Sequence, residues 1–285
     1  MADFQKRAKR SLGQNFLVDS SVIDRIVSAS GIGSSDTVVE IGPGRGALTE
    51  GLRRKGERLV LIEKDDDLAA RHEGTFASDD DVKILNRDAL EVRPKDMPFS
   101  GPYRIVANLP YNVGGRITMH LLEAWPGEVL SATLMFQKEV ADRLIAPAGT
   151  SSYGALSVLV QSFAEVWSLF PVPPGAFRPR PKVQSRVVRV KPRPSPLWLG
   201  LDYEHFRRVV HGGFAARRKT LLNSLQIAGG LPSDPDVLRG ALSKAGIDPG
   251  LRGDALPVEA WVRLAEHLPS GQGSTNSVSS AELEP

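Results

Sequence analysis

The chain has 285 residues, 41% of them hydrophobic and 24% charged, and it contains no cysteine. Such a composition belongs to a globular protein with a sizeable core, and the missing cysteines remove disulfides, thiolate nucleophiles and sulfur-ligated zinc. No apolar run reaches the roughly 18 residues that cross a bilayer, and no apolar signal core follows the basic head Lys6-Arg-Ala-Lys-Arg10, so a soluble cytoplasmic protein without a membrane partner is expected.

Residues 19–30 predict a helix capped by Asp19 or Ser20, with Val22, Ile23, Ile26 and Val27 on one face and Gly31 as its stop. Four short apolar runs follow: Thr37 to Ile41, Arg58 to Ile62, Val82 to Leu85 and Arg104 to Ala107. Helical patterns (Ala47 to Lys55, Asp66 to His72) separate the first three, which predicts βαβ units and a parallel sheet. Ala132 to Phe136 and Ser185 to Val190 read as further strands, and Lys138 to Ile145 and Gly154 to Phe163 as helices. The proline-rich segment from Phe170 to Pro181 is expected to hold no regular structure, because each proline removes a donor and fixes its own φ.

Lys191-Pro-Arg-Pro-Ser-Pro196 reads as a stiff linker. It sets the expected boundary between an α/β domain over 1–195 and a small all-helical domain over 196–268, with 269–285 a disordered tail. The formal charge of +3 hides an uneven distribution. From Arg178 to Lys219 twelve bases stand against two acids, a footprint suited to a polyanion, and the basic head can add to it.

Four places after strands carry candidate chemistry. Val38-Val-Glu-Ile-Gly-Pro-Gly-Arg-Gly46 is a strand entering a glycine loop; its spacing departs from the dinucleotide fingerprint, leaving a ligand loop or a tight turn, and no lysine follows as in a P-loop. Glu63 directly follows the second strand, where an acid can accept both ribose hydroxyls, a reading favoured over a solvated acid opening Lys64-Asp-Asp-Asp67. Asp88 follows the third and suits either an adenine amine or a helix cap. Asn108-Leu-Pro-Tyr111 follows the fourth: Leu109 is forced extended before Pro110, so the Asn108 amide oxygen and main-chain carbonyls can converge as acceptors beside the Tyr111 ring. Acceptors plus a stacking face suit a planar amine such as adenine N6, whose lone pair they would localise for attack.

These residues resemble the KsgA-type ribosomal RNA adenine N6-dimethyltransferases. The resemblance spans Lys9 to Leu268 and rests on Ser11-Leu-Gly-Gln-Asn-Phe-Leu17, Glu40-Ile-Gly-Pro-Gly44, Glu63, Asp88, Asn108-Leu-Pro-Tyr111, Gln137-Lys-Glu139, Tyr153-Gly154, Phe177-Arg-Pro-Arg-Pro-Lys-Val-Gln-Ser185 and Arg217-Arg-Lys-Thr220. It implies a class I S-adenosylmethionine (SAM) methyltransferase fold, Rossmann-like with a mostly parallel sheet, SAM as methyl donor and no metal. It further implies SAM contacts from Asn15, Leu17, Gly42, Glu63, Asp88 and Asn108, and a target adenine held by Asn108, Leu109, Pro110 and Tyr111 with Phe177 lining its other side. Taken alone, Phe177 reads as core more readily than as a base platform. Glu139 and Arg143 form a simple i,i+4 pair without a catalytic role, and Arg45-Gly46 fills a variable part of the glycine loop.

The expected partner is small-subunit rRNA in the assembling subunit, bound by Arg178, Arg180, Lys182, Arg217, Arg218 and Lys219, with the enzyme a monomer. The expected product is N6,N6-dimethyladenosine at two neighbouring adenosines in a hairpin near the 3′ end. Three rivals are weighed: a large-subunit rRNA dimethylase of the macrolide-resistance type, a non-catalytic nucleic-acid-binding assembly factor on the same fold, and a small-molecule methyltransferase, which the basic run disfavours.

Overall fold

The computed structural model describes residues 15–110 and 113–270. The basic head, residues 11–14 of the first motif, Tyr111 and the tail beyond residue 270 lie outside the described residues.

Nine strands and ten α-helices alternate along the described chain, and contacts divide it into two compact units, Met1–Ala141 with Val166–Pro192, and Asp142–Glu165 with Arg193–Pro285. The first unit begins with β1 (Phe16–Leu17) and α1 (Ser20–Ala29). Asp19 caps α1 by accepting from the Ser21 and Val22 N–H groups at 3.0 and 3.2 Å, and Gly31 ends it at φ +70°. Then come β2 (Thr37–Ile41), α2 (Thr49–Arg53), β3 (Arg58–Ile62), α3 (Asp66–Thr75), β4 (Val82–Leu85), β5 (Tyr103–Asn108), α4 (Gly114–Ala124), β6 (Val129–Gln137) and α5 (Lys138–Ile145), within which the division falls.

One seven-stranded sheet runs β4-β3-β2-β5-β6-β9-β7, where β7 is Ala164–Val172 and β9 is Ser185–Pro192. The β4-β3, β3-β2, β2-β5 and β5-β6 pairs are parallel, and β9 is antiparallel to β6. Strands buried on both faces read as near-continuous apolar runs, as Leu59, Val60, Leu61 and Ile62 do at 0–2% exposure. Registers matter most for function: Ile41 stands opposite both Ile62 and Ala107, and Ile62 opposite Leu85. The residues that follow these four strands therefore emerge at one carboxyl edge, where β3 and β5 flank β2 and the strand order reverses, the crevice in which open α/β sheets bind ligands.

The expectation that Phe170 to Pro181 holds no regular structure is corrected at two places. β7 runs through Phe170 and Pro171, tolerated because β7 is an edge strand where a missing N–H costs no ladder bond. β8 (Phe177–Arg178) pairs antiparallel with β1, Leu17 opposite Phe177 and Phe16 opposite Arg178. The reading of Lys191 to Pro196 as a spacer is also altered: β9 includes Lys191 and Pro192, and the N–H groups of Arg193 and Leu197 donate to the carbonyls of Phe163 and Ser162 at 2.8 Å.

The second unit holds α6 (Ala155–Phe163), α7 (Tyr203–Phe214), α8 (Leu221–Ile227), α9 (Pro235–Lys244) and α10 (Val258–His267). Residues 142–165 fall here rather than before a single cut at 195, because α6 packs on α7 and α10 and buries Val158, Leu159 and Val160 to 0–3% exposure. Phe214 stacks on Trp261 at 5.1 Å, and Gly213 is required beside them, since a Cβ there would stand 2.2 Å from the Trp261 ring. The Tyr153 hydroxyl donates to the Leu256 carbonyl at 2.8 Å, and burial pushes that phenol up from its ordinary value.

Candidate active site

A cavity of about 340 Å³ opens at the carboxyl edge of the first unit's sheet. Asn15, Leu17, Gly42, Glu63, Asp88, Asn108, Leu109 and Pro110 all line it. Every described residue that was expected to touch the cofactor is thus in one place, although the chain separates them by up to 93 positions.

The loop after β2 turns on Gly42, Gly44 and Gly46, at φ +65°, +58° and +84°. A Cβ at Gly42 would meet nothing within 4 Å, so that glycine leaves its backbone open to a ligand. A Cβ at Gly46 would come 3.2 Å from His72, whose Nε2–H donates to the Gly44 carbonyl at 3.0 Å. Burial lowers the His72 pKa and the bond to Gly44 opposes it without cancelling it, so the ring is held toward its neutral form. Arg45 lies over the Phe16 ring at 4.3 Å, and both residues line the cavity. Arg45 and Gly46 therefore do more than fill a variable part of the loop.

Glu63 is 7% exposed. Its Oε2 accepts from the Gly44 N–H at 3.0 Å and its Oε1 from the Asp65 N–H at 2.9 Å. Burial raises its pKa and these N–H groups oppose the rise without cancelling it. Each oxygen keeps a further lone pair, so Glu63 can brace the glycine loop and still accept from vicinal hydroxyls.

Asp88 is not a helix cap, and its two oxygens hold different partners. Its Oδ1 accepts from the Leu90 N–H at 3.0 Å, a local turn that starts no α-helix, while its Oδ2 receives Lys64 Nζ at 2.7 Å. Burial raises its pKa, but the Lys64 bond and then the Leu90 N–H outweigh burial and leave it below the ordinary carboxylate value. An anionic acceptor results.

Asn108 closes β5. Its Nδ2–H donates to the Asn15 carbonyl at 3.3 Å, which turns the amide so that Oδ1 remains as an acceptor. The Leu109 N–H is spent on the Met135 carbonyl at 3.1 Å, and Pro110 has no N–H, so the segment offers acceptors rather than donors.

Phe177 does not reach this cavity. Its ring is 0% exposed and packs in the core cluster with Leu17, Phe170, Ala176 and Val187. Its contribution is to pin the β1 wall of the cavity through β8. The basic residues divide between the units: Arg178, at the end of β8, and Arg180 and Lys182, between β8 and β9, are exposed in the first, and Arg217, Arg218 and Lys219 are exposed after α7 in the second. Not all twelve bases face solvent. Arg186 and Arg189 are half-buried on β9, donating to Ser168 Oγ at 3.1 Å and to the Ala29 carbonyl.

Several wall residues have no role predicted from the sequence, among them Glu40, Lys64, Arg87 and Arg116. Glu40 alone had a local signal, a charge inside the otherwise apolar run Thr37 to Ile41. Arg116, on the first turn of α4, had none.

The sequence pattern of the family described as "Ribosomal RNA adenine dimethylase" matches residues 5–268. "Ribosomal RNA small subunit methyltransferase A" of Xanthomonas campestris pv. campestris is 43% identical over 264 residues, 93% of this chain and 97% of the relative. The protein of the same description from Bacillus cytotoxicus is 41% identical over 266 residues, 91% of each. Among solved structures, the 23S rRNA methyltransferase ErmE is similar with a TM-score of 0.66 at 27% identity, covering 89% of this chain and 99% of its own. A Plasmodium falciparum dimethyladenosine transferase shares the fold with a TM-score of 0.73 at 24% identity, covering 87% and 95%. The architecture is that of the class I SAM-dependent methyltransferases, and the chain belongs to the ribosomal RNA adenine dimethylase family.

Proposed function

We infer that this protein dimethylates N6 of two adjacent adenosines in the 3′-terminal hairpin loop of small-subunit rRNA, using SAM, during assembly of that subunit. The observation that carries the reading is the shared edge of four parallel strands, which gathers Gly42, Glu63, Asp88 and Asn108 around one cavity. The donor set fits the cofactor: a glycine loop with an open approach, a carboxylate able to take two ribose hydroxyls, and an anionic acceptor for an adenine amine. SAM supplies an electrophilic methyl group on sulfonium and leaves as the neutral thioether.

The chain's own residues prepare the acceptor. Asn108 Oδ1 and a main-chain carbonyl of the Leu109–Pro110 segment accept the two N–H groups of the target amine, localise its lone pair and offset the positive charge that develops as nitrogen attacks. Removing one such acceptor costs on the order of 10²–10³ in rate when it acts in the transition state. The amine needs no strong base, since its proton leaves after the methyl arrives. Tyr111 is proposed as the stacking face. Arg178, Arg180, Lys182, Arg217, Arg218 and Lys219 are proposed to contact phosphates, supplying affinity while the extruded base is read in its pocket.

The likeness to ErmE keeps a large-subunit substrate as the second reading. The relatives at 41–43% identity described as small-subunit enzymes support the first. Incubating each purified ribosomal subunit with this protein and radioactive SAM decides between them: label in small-subunit rRNA is expected, and label confined to the large subunit would overturn the assignment. No transfer to either would favour the non-catalytic assembly factor.

A further inference from the structure

Glu40 is a wall residue of the cavity, buried inside a core strand, whose carboxyl the reaction leaves unused. It sits within β2, paired in register with Leu61 and Val106, both 0% exposed, and is itself 2% exposed. Its Oε2 accepts from Thr49 Oγ1 at 2.7 Å, and no hydrogen-bond partner for its second oxygen occurs among the described residues. The charged groups around it give no compensation. Glu63, after β3, adds a like charge, and β5 brings the uncharged Asn108. From α2 the contact is the Thr49 hydroxyl, and from α3 His72 is neutral and committed to Gly44. Arg45 lies over Phe16, Lys64 holds Asp88, Arg87 faces Asp96 at 3.4 Å, and Arg116 hydrogen-bonds no acidic side chain among the described residues.

A buried carboxyl with only a neutral hydroxyl donor and another acid nearby is more stable protonated than ionised. Burial, with the Glu63 charge adding and the Thr49 bond opposing, pushes this carboxyl up to about 8. Three acids, Glu40, Glu63 and Asp88, therefore wall a cavity in which Glu40 is charged at neutral pH only at a cost. A cation brought into that cavity reverses the balance, because it stabilises the carboxylate that solvent no longer reaches.

We propose that Glu40 is the charge gauge of the cofactor site: neutral before binding, it releases its proton to solvent when a sulfonium ligand binds and keeps it when the thioether product is bound. The pocket would thereby favour the methyl donor, whose net charge exceeds that of S-adenosylhomocysteine by one, over the product that must leave. This rests on the reading of the cavity as the SAM site. The balance is simple: one O–H bond of Glu40 breaks, the buffer takes the proton, and the carboxylate faces the added positive charge.

The test is isothermal titration of the full-length protein with SAM and, separately, with S-adenosylhomocysteine, in phosphate and in Tris, whose ionisation enthalpies differ. For SAM, proton release approaching one per site near pH 7 and vanishing above about pH 9 is expected, and markedly less for S-adenosylhomocysteine. Glu40→Gln should bind both ligands without this buffer dependence and lose several-fold of the preference for SAM. Thr49→Val, which removes the one bond opposing protonation, should move the release to higher pH. Equal release by both ligands, or release unchanged in Glu40→Gln, would overturn the proposal and point to Glu63. Absence of binding heat for either ligand would overturn the cofactor reading itself.

Discussion

Asn108 donates its side-chain N–H to the main-chain carbonyl of Asn15 at 3.3 Å, so the residue proposed to face the target amine also fastens the segment that walls the cofactor cavity. Asn108→Asp preserves shape but sets an oxygen against that carbonyl, leaving it unpaired at a cost of about 1 kcal/mol. Weaker SAM binding by about fivefold, measured by titration, is expected together with slower turnover. A variant impaired in turnover with unchanged SAM affinity would show that the two roles are separate.

The buried acid of β2 also has a consequence for stability. Its pKa is about 8 in the folded protein, above the ordinary glutamate value of 4.5. Between those values the folded state holds the proton and the unfolded state does not, so this group's contribution to stability falls as pH rises through that window. Glu40→Gln, which still accepts from Thr49, removes the dependence. In urea denaturation of the cofactor-free protein, the stability difference in favour of the variant should grow from pH 5 to pH 8, by an amount on the order of a few kcal/mol. A difference that stays flat across that range contradicts the neutral state of Glu40.

Phe177 makes a prediction opposite to that of an exposed base platform. Because its ring is fully buried among Leu17, Phe170 and Val187, Phe177→Ala should cost about 3–5 kcal/mol in chemical denaturation. A stability loss below about 1 kcal/mol with methyl transfer abolished would place the ring at the substrate instead.

The basic run after α7 separates by what each side chain already holds. Arg217 donates to the carbonyls of Ser151 and Tyr153 at 2.7 and 3.0 Å, whereas the side chains of Arg218 and Lys219 are exposed without a hydrogen bond or ion pair among the described residues. Arg218→Ala and Lys219→Ala should leave the melting temperature in place and weaken rRNA binding, each lowering the salt slope by about one. Arg217→Ala should lower both stability and binding. Filter binding across a salt series and a thermal melt on each variant decide it.

How much was legible depends on how local the cause is. The strands β2 to β6 and the positions of Gly42, Glu63, Asp88 and Asn108 follow from apolar runs, punctuated by glycine, proline and acids, that act within a few residues of themselves. What escaped is set by partners far along the chain. Nothing near Phe16 announces its pairing with Arg178, and Pro171 looks like a breaker until β7 is known to be an edge strand. Residues 142–165 join the helical unit because α6 finds its apolar partners in α7 and α10. Arg116 and Lys64 reach the cavity only through folding. Glu40 was visible as a charge in an apolar strand, but its neutrality comes from neighbours that the sequence does not order in space.

The central claim is that Asn108 and the adjoining carbonyl hold adenine N6 toward the methyl donor, and the direct measurement is transfer of labelled methyl from SAM into small-subunit rRNA by the wild-type protein and by Asn108→Ala, with the modified base identified by mass. The account predicts paired N6,N6-dimethyladenosines with the wild type and a rate at least about 100-fold lower in the variant. Undiminished dimethylation by Asn108→Ala would contradict it.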